Sequence, residues 1–455
     1  MVEKCLQSIK KYIFWVLLIG LGFLWTGTAY IAQAYRLLSL MDADSVSRIT
    51  CGSYYLFQAA GICVVAWFFA KHPTFAGGRV LPFWSTIFAL GCTAVSLYST
   101  SLTVIIISGF LLNLAIGMLS GCYLTRLATN IPQQRRGAVF GFAYALGSIG
   151  TWLISLPMGG RFLWYRESFF AIIALAALTL PFIQHLSAPS IRRSLAGHPQ
   201  KKFDWNLIIL SGAVLLLLSM ENTLGFSFPL KGASDSLYIE FVRIFYGVGL
   251  VIAGFVSDKN RRFGAICCLA ALAFPFAALA HGNNEAGETL MWVLAYLFLG
   301  FFSVYRILLF SDISGKTGIP AFAVLGLMFG RLGEAAGTIG AGFFSGTPLI
   351  IISGAVFVLV IVLFFLLYQK IYTSVVSPEE LEQQRFTAYS ARFGFSAREQ
   401  EIFALIIRGM SNAEIAAALY ITESTVKFHI GNMFRKSGFA RRSELITDYK
   451  LGSSH

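Results

Sequence analysis

Twelve stretches of this chain are long and apolar enough to cross a bilayer, and that repetition restricts the fold more than any other feature. A spanning helix needs about 20 mostly apolar residues, because its backbone amides must bond within the segment once water is excluded. The stretches fall near residues 12–35, 50–70, 81–98, 101–124, 138–156, 168–183, 206–228, 237–255, 265–280, 290–312, 320–344 and 349–368. Only 13% of the 455 residues are charged, against roughly 25% in a soluble domain. The sequence therefore predicts an all-α, polytopic transmembrane bundle over residues 1–371. Tyr12 onward reads as a retained first span, since no small-residue cleavage site follows it.

Lys and Arg placement sets the expected orientation. With the N-terminus inside, sixteen basic residues face the cytoplasm: Lys4, Lys10, Lys11, Lys71, Arg79, Arg126, Arg135, Arg136, Arg192, Arg193, Lys201, Lys202, Lys259, Arg261, Arg262 and Lys316. The outer loops hold five, namely Arg36, Arg48, Arg161, Arg166 and Lys231. An even number of spans then brings the C-terminus back to the cytoplasm. The expected location is the cytoplasmic (inner) membrane, multi-pass, with both termini cytoplasmic and lipid as one partner.

The long basic connection from Gln184 to Trp205 divides the spans into six plus six. After span eight comes Gly254, then Asp258, Lys259, Arg261 and Arg262. An Asp followed by a basic cluster at that place resembles the signature loop of the major facilitator superfamily of transporters. The matching loop after span two, from Lys71 to Arg79, carries no Asp. The resemblance implies a major-facilitator-like bundle in which the third helix of each triplet is peripheral and the others line a central cavity.

Charges inside the spans fit that division. Glu221 lies in span seven, Glu240 and Arg243 in eight, Arg306 in ten, and Arg331 and Glu334 in eleven. Each costs at least a few kcal/mol in the bilayer unless it meets a partner or water. One reading is a small-molecule pocket open to the outside, lined by Glu221, Tyr238, Glu240, Arg243, Tyr246, Arg331 and Glu334. The other is that Glu240–Arg243 and Arg331–Glu334 are i,i+3 pairs that neutralise each other and hold helices together. Gln33, Gln58 and Asn113 are placed to line the same cavity, but for each alone an interhelical hydrogen bond is the expected role.

Composition changes abruptly after Tyr368. Ser377, Pro378 and Glu380 form a helix-start signal, predicting a polar linker helix over residues 372–391. Residues 392–455 then read as a small four-helix domain. Ser396 with Glu399 starts a first helix, Ile402, Leu405 and Ile406 give it an apolar face, and Gly409 ends it. A second helix is expected over 412–419, a tight turn over 420–422, and a third helix over 423–437 that buries Val426, Ile430, Met433 and Phe434. Its other face carries Ser424, Thr425, Lys427, Phe428, Gly431 and Arg435. Two helices joined by a short turn, the second with a polar basic face, suit a major groove.

This run, without a gap from Phe395 to Gly438, resembles the LuxR-type helix-turn-helix of bacterial regulators. The resemblance implies that Lys427 contacts DNA and that Thr425 and His429 belong to the family's Thr-Val-Lys-x-His core. It also implies that a last helix near 442–449 forms a dimer surface. Arg435, Arg441 and Arg442 suit contacts to the DNA backbone. Phe428 and Gly431 occupy outward positions where some relatives carry other contact residues.

Together these features predict a membrane-bound one-component transcription regulator. It would sense a small molecule through the bundle and bind double-stranded promoter DNA as a homodimer. The alternative is a working secondary transporter fused to a regulatory domain. No nucleophile–base pair, metal cluster or phosphate loop stands out, so neither an enzyme nor a cofactor nor a metal is expected.

Overall fold

Alternating apolar runs and short polar breaks produce a wholly helical chain. The structure, a computed structural model, describes residues 2–155, 166–186, 204–232, 239–279, 285–344, 347–372 and 378–451, and contains no strand among them. It divides into two compact units, Met1–Tyr372 and Thr373–His455.

The first unit holds α1 (Val2–Leu38), α2 (Tyr54–Lys71), α3 (Val80–Tyr98), α4 (Leu102–Asn130), α5 (Arg136–Ser155) and α6 (Ser168–Gln184). Its second half holds α7 (Trp205–Gly232), α8 (Ile239–Lys259), α9 (Arg261–Leu279), α10 (Glu285–Thr317), α11 (Leu325–Phe343) and α12 (Thr347–Tyr372). Nine of these, among the described residues, have the length and hydropathy to cross a membrane, and α6 is apolar but shorter. The short break between spans three and four is real. Ser99 and Ser101 are both extended and separate α3 from α4. Most of the basic connection between the halves lies outside the described residues.

The two halves repeat one pattern. In the first, α1 packs on α5 and α2 on α4; in the second, α7 packs on α11 and α8 on α10. The halves meet where α5 lies against α8 and α2 against α11. The α5–α8 contact depends on small residues, because a Cβ on Gly254 would stand 2.4 Å from the Gly137 carbonyl oxygen. Helices α3 and α12 turn large apolar side chains outward, among them Trp84, Phe88, Ile351 and Val358. They would face lipid tails, as expected for the third helix of a triplet.

The interhelical hydrogen bonds read from the sequence are present. Gln58 Nε2 donates to Asn113 Oδ1 at 2.7 Å, and Gln33 Nε2 donates to the Tyr54 hydroxyl at 3.2 Å. Tyr238 lies outside the described residues. Glu240 and Arg243 fall in α8, but their side chains are also outside what is described.

The second unit holds α13 (Pro378–Arg392), α14 (Ala397–Ile407), α15 (Asn412–Leu419), α16 (Glu423–Ser437) and α17 (Arg442–Leu451). Ser396 and Glu399 form a reciprocal capping box at the start of α14. Ser411 and Glu414 form a second at the start of α15, an S-x-x-E signal of the same kind. Each satisfies two otherwise orphaned amides.

The helix read as a polar linker packs on this unit. Tyr389 of α13 is buried, stacks on Phe403 with centroids 5.4 Å apart, and donates to Asp448 Oδ2 at 2.9 Å. An apolar ring on an otherwise polar helix is the sequence signal for this docking.

Candidate nucleic-acid interface and bundle cavity

Helix α16 follows α15 through a turn of three residues. Tyr420 closes α15 in the left-handed region at φ 55°, the lone non-glycine with positive φ among the described residues. That reversal lets the Tyr420 amide cap α15 and turns the chain sharply. The Thr422 hydroxyl then caps α16 by accepting from the Thr425 amide at 3.2 Å. On the inner side Val426, Ile430 and Met433 are buried and Phe434 is half-buried.

The outer side presents Ser424, Lys427, Phe428, Gly431 and Arg435, all exposed, on one helical face. Thr425 is half-buried beside them, its hydroxyl 2.8 Å from that of Thr422. Phe428 is 65% exposed, a cost in water that a groove wall or a thymine methyl would offset. A Cβ on Gly431 would meet nothing within 4 Å, so glycine here leaves the middle of the face low. The Arg435 guanidinium donates to Asn432 Oδ1 at 3.0 Å and stays at the surface, and Arg441 is exposed.

Two residues of the predicted interface are engaged inward. Arg442 donates to the carbonyls of Ile406 and Met410, so it closes the C-terminal end of α14. His429 is half-buried, with Nδ1 buried and unpartnered among the described residues. Its placement favours helix packing over contact with DNA.

Sequence reasoning missed the ion pair behind α16. Lys436 Nζ donates to Glu399 Oε2 at 2.6 Å and to the Gly394 carbonyl at 3.0 Å, tying α16 to α14. Burial opposes the Glu399 carboxylate, but Lys436 and the Ser396 amide outweigh it and hold its pKa below the usual 4.5. A depressed acid contributes stability above its unfolded pKa and loses it as pH falls through the folded one. The thermal stability of residues 373–455 should therefore fall as pH drops below about 4.5. Glu399→Gln should flatten that dependence and cost about 1–3 kcal/mol at neutral pH.

A half-open cavity of about 510 Å³ lies between the halves of the bundle. Arg331, Glu334 and Tyr246 line it as read from the sequence, together with Gln58, Asn222 and Arg306. Tyr30, Tyr55, Tyr144, Tyr296 and Trp152 form much of the rest. Glu334 accepts from Arg331 at 2.6 Å and from Arg306 at 2.5 Å. The i,i+3 pair is thus present and also lines the cavity, which joins the two sequence readings. Arg306 was visible only as an intramembrane charge, because its partner lies 28 residues away on another helix.

Glu221 departs from expectation. It is fully buried and does not line the cavity; its Oε1 accepts from Ser353 Oγ of α12 at 2.5 Å. From α7 it reaches α12, the peripheral helix of the neighbouring triplet, so it ties helices together.

At the end of the bundle that carries the α4–α5 turn, charged groups close the halves. The Asp258 carboxylate accepts from the Gly137 and Ala138 amides at 2.8 and 2.7 Å, capping α5 across the interface. Arg261 donates to Asp258 and Asp312, both at 2.9 Å, and Arg136 reaches Asp312 at 3.3 Å. In the matching loop without an Asp, Arg126 donates to the Gly78 carbonyl at 2.8 Å instead.

The fold and these surfaces define a class: a LuxR-type DNA-binding regulator domain joined to a multi-pass transmembrane bundle of major-facilitator fold. The family profile "Bacterial regulatory proteins, luxR family" matches residues 394–448. The chain belongs to that family. It is similar to "Spore germination protein GerE" of Bacillus subtilis (strain 168), 39% identical over 51 residues, 11% of this chain and 69% of that protein. It is also similar to "CsgBAC operon transcriptional regulatory protein" of Escherichia coli (strain K12), 42% identical over 50 residues, 11% of this chain and 23% of that protein. The bundle resembles the E. coli fucose:proton symporter FucP, with TM-score 0.57 and 14% identity over 78% of this chain and 98% of that one. The proton:xylose symporter XylE gives TM-score 0.55 and 13% identity over 80% and 96%. At such identity the likeness is one of fold.

Proposed function

We propose that this chain is a membrane-bound one-component transcription regulator. A small molecule entering the bundle cavity alters how the C-terminal unit engages promoter DNA, to which it binds as a homodimer. The division in this reading is a sensor over residues 1–371, a connector over 372–391 and a DNA reader over 392–455. The basic residues, sixteen on one side and five on the other, support an inner-membrane protein with both termini cytoplasmic.

The observation that carries the reading is a charged, aromatic-walled cavity of about 510 Å³ in the same chain as a DNA-reading helix. That volume lies within the roughly 300–1,000 Å³ of small-molecule sites. Its intramembrane arginines and glutamate would be costly in a passive anchor. The test is to assay one effector for both transcription and uptake in cells carrying the chain. Transcription should change with no flux above the empty-vector control. Flux without a transcriptional change would instead mark a transporter with a fused regulatory domain.

A further inference from the structure

We infer that the cavity is built for a small organic anion, a carboxylate carried on a planar apolar body. This rests on the sensor reading for its biological meaning, but its physical basis is local. Three charged residues line the cavity among those described: Arg306, Arg331 and Glu334. Two guanidiniums share one carboxylate, so among the described side chains one positive charge is left without a counterion in the cavity wall.

The donor count agrees with the charge count. Arg306 is 4% exposed, and the Nε atoms of both Arg306 and Arg331 are buried with no hydrogen-bond partner among the described residues. A buried, unpaired charged donor is expensive, and a guanidinium matches a carboxylate in a two-pronged geometry. Glu334 is already held by two guanidiniums, so among the described side chains a cationic ligand would find the one acidic partner occupied and two positive charges beside it.

The walls define the rest of the ligand. Arg331 lies over the Tyr55 ring at 4.4 Å and Arg306 near the Phe302 ring at 5.4 Å. Those two faces are taken by the cations, but the half-buried rings of Tyr144, Trp152 and Tyr296 line the same cavity and accept a flat apolar group by stacking. The hydroxyl of Tyr246, 2.9 Å from Ser303 Oγ, adds a polar contact without charge.

The test is calorimetric titration of the full-length protein in phosphatidylethanolamine–phosphatidylglycerol nanodiscs. The probes are phenylacetate, phenylacetamide and phenethylamine, with the corresponding naphthalene series. Carboxylates should bind about tenfold or more tightly than their amides or amines. Arg331→Gln should remove that advantage and Arg331→Lys should restore part of it. Glu334→Gln, which adds to the positive excess, should keep or strengthen carboxylate binding, which a merely structural Glu334 would not do.

Amines that bind as tightly as carboxylates would overturn the inference. So would unchanged carboxylate affinity in a folded Arg331→Gln protein, or no carboxylate binding at millimolar concentration. Because no DNA is present, this outcome is separable from sensing. Carboxylate binding with a silent promoter refutes the sensor reading alone, and a promoter that answers only to amines refutes the anion alone.

Discussion

Lys427→Ala should lower the affinity of the full-length chain for its promoter by about 10- to 100-fold and reduce the salt slope by about one. The side chain stands exposed on the outer face of α16, while Val426 on one side of it is buried in the core. Removing the ammonium would therefore remove the proposed DNA contact without opening a cavity. The slope matters because each phosphate neutralised releases condensed counterions. If Lys427 contacts a guanine edge, the variant will also relax preference at one base position; if it contacts phosphate, the loss will be uniform across sequences. The measurement is fluorescence anisotropy over a salt series. Unchanged affinity with an unchanged slope would remove Lys427 from the interface.

The second large effect is expected at the closed end of the bundle. Asp258→Ala leaves the Gly137 and Ala138 amides without their acceptor and takes one carboxylate from Arg261. Breaking a fully buried, hydrogen-bonded pair by deleting one partner costs about 3–5 kcal/mol, and this largely buried pair should lose somewhat less. The loss falls on the contact between α5 and α8, which the close approach of Gly137 and Gly254 makes intolerant of any compensating side chain. Thermal unfolding in nanodiscs should show a clear drop for Asp258→Ala and a smaller one for Asp258→Asn, which keeps one acceptor oxygen. Equal stability in all three proteins would show that the interface does not depend on this carboxylate.

Local signals were legible in the sequence and long-range ones were not. Helix α16 starts and stops where the caps and the apolar period place it, and α14 starts at the Ser396–Glu399 box. Spans were readable because bilayer length and hydropathy are local properties. The Arg331–Glu334 pair was readable from i,i+3 spacing, but its third member Arg306 was not, since no spacing rule links residues on different helices. The same limit misdirected Glu221. Depth along α7 was readable, but its facing toward Ser353 was set by helix rotation in the packed bundle. In the C-terminal unit, the inward engagement of Arg442 and the Lys436–Glu399 pair likewise join segments far apart in sequence.

The central claim is that occupancy of the bundle cavity controls transcription. Its most direct test is a promoter reporter in cells expressing wild-type, Arg331→Gln or Glu221→Gln protein at matched membrane levels, dosed with a panel of small aromatic acids, amides and amines. Wild type should respond to at least one compound. Arg331→Gln should lose that response while keeping its promoter occupancy without effector. Glu221→Gln should keep it, because Glu221 lies off the cavity. An identical dose response in wild type and Arg331→Gln, or a response lost only in Glu221→Gln, would contradict the account.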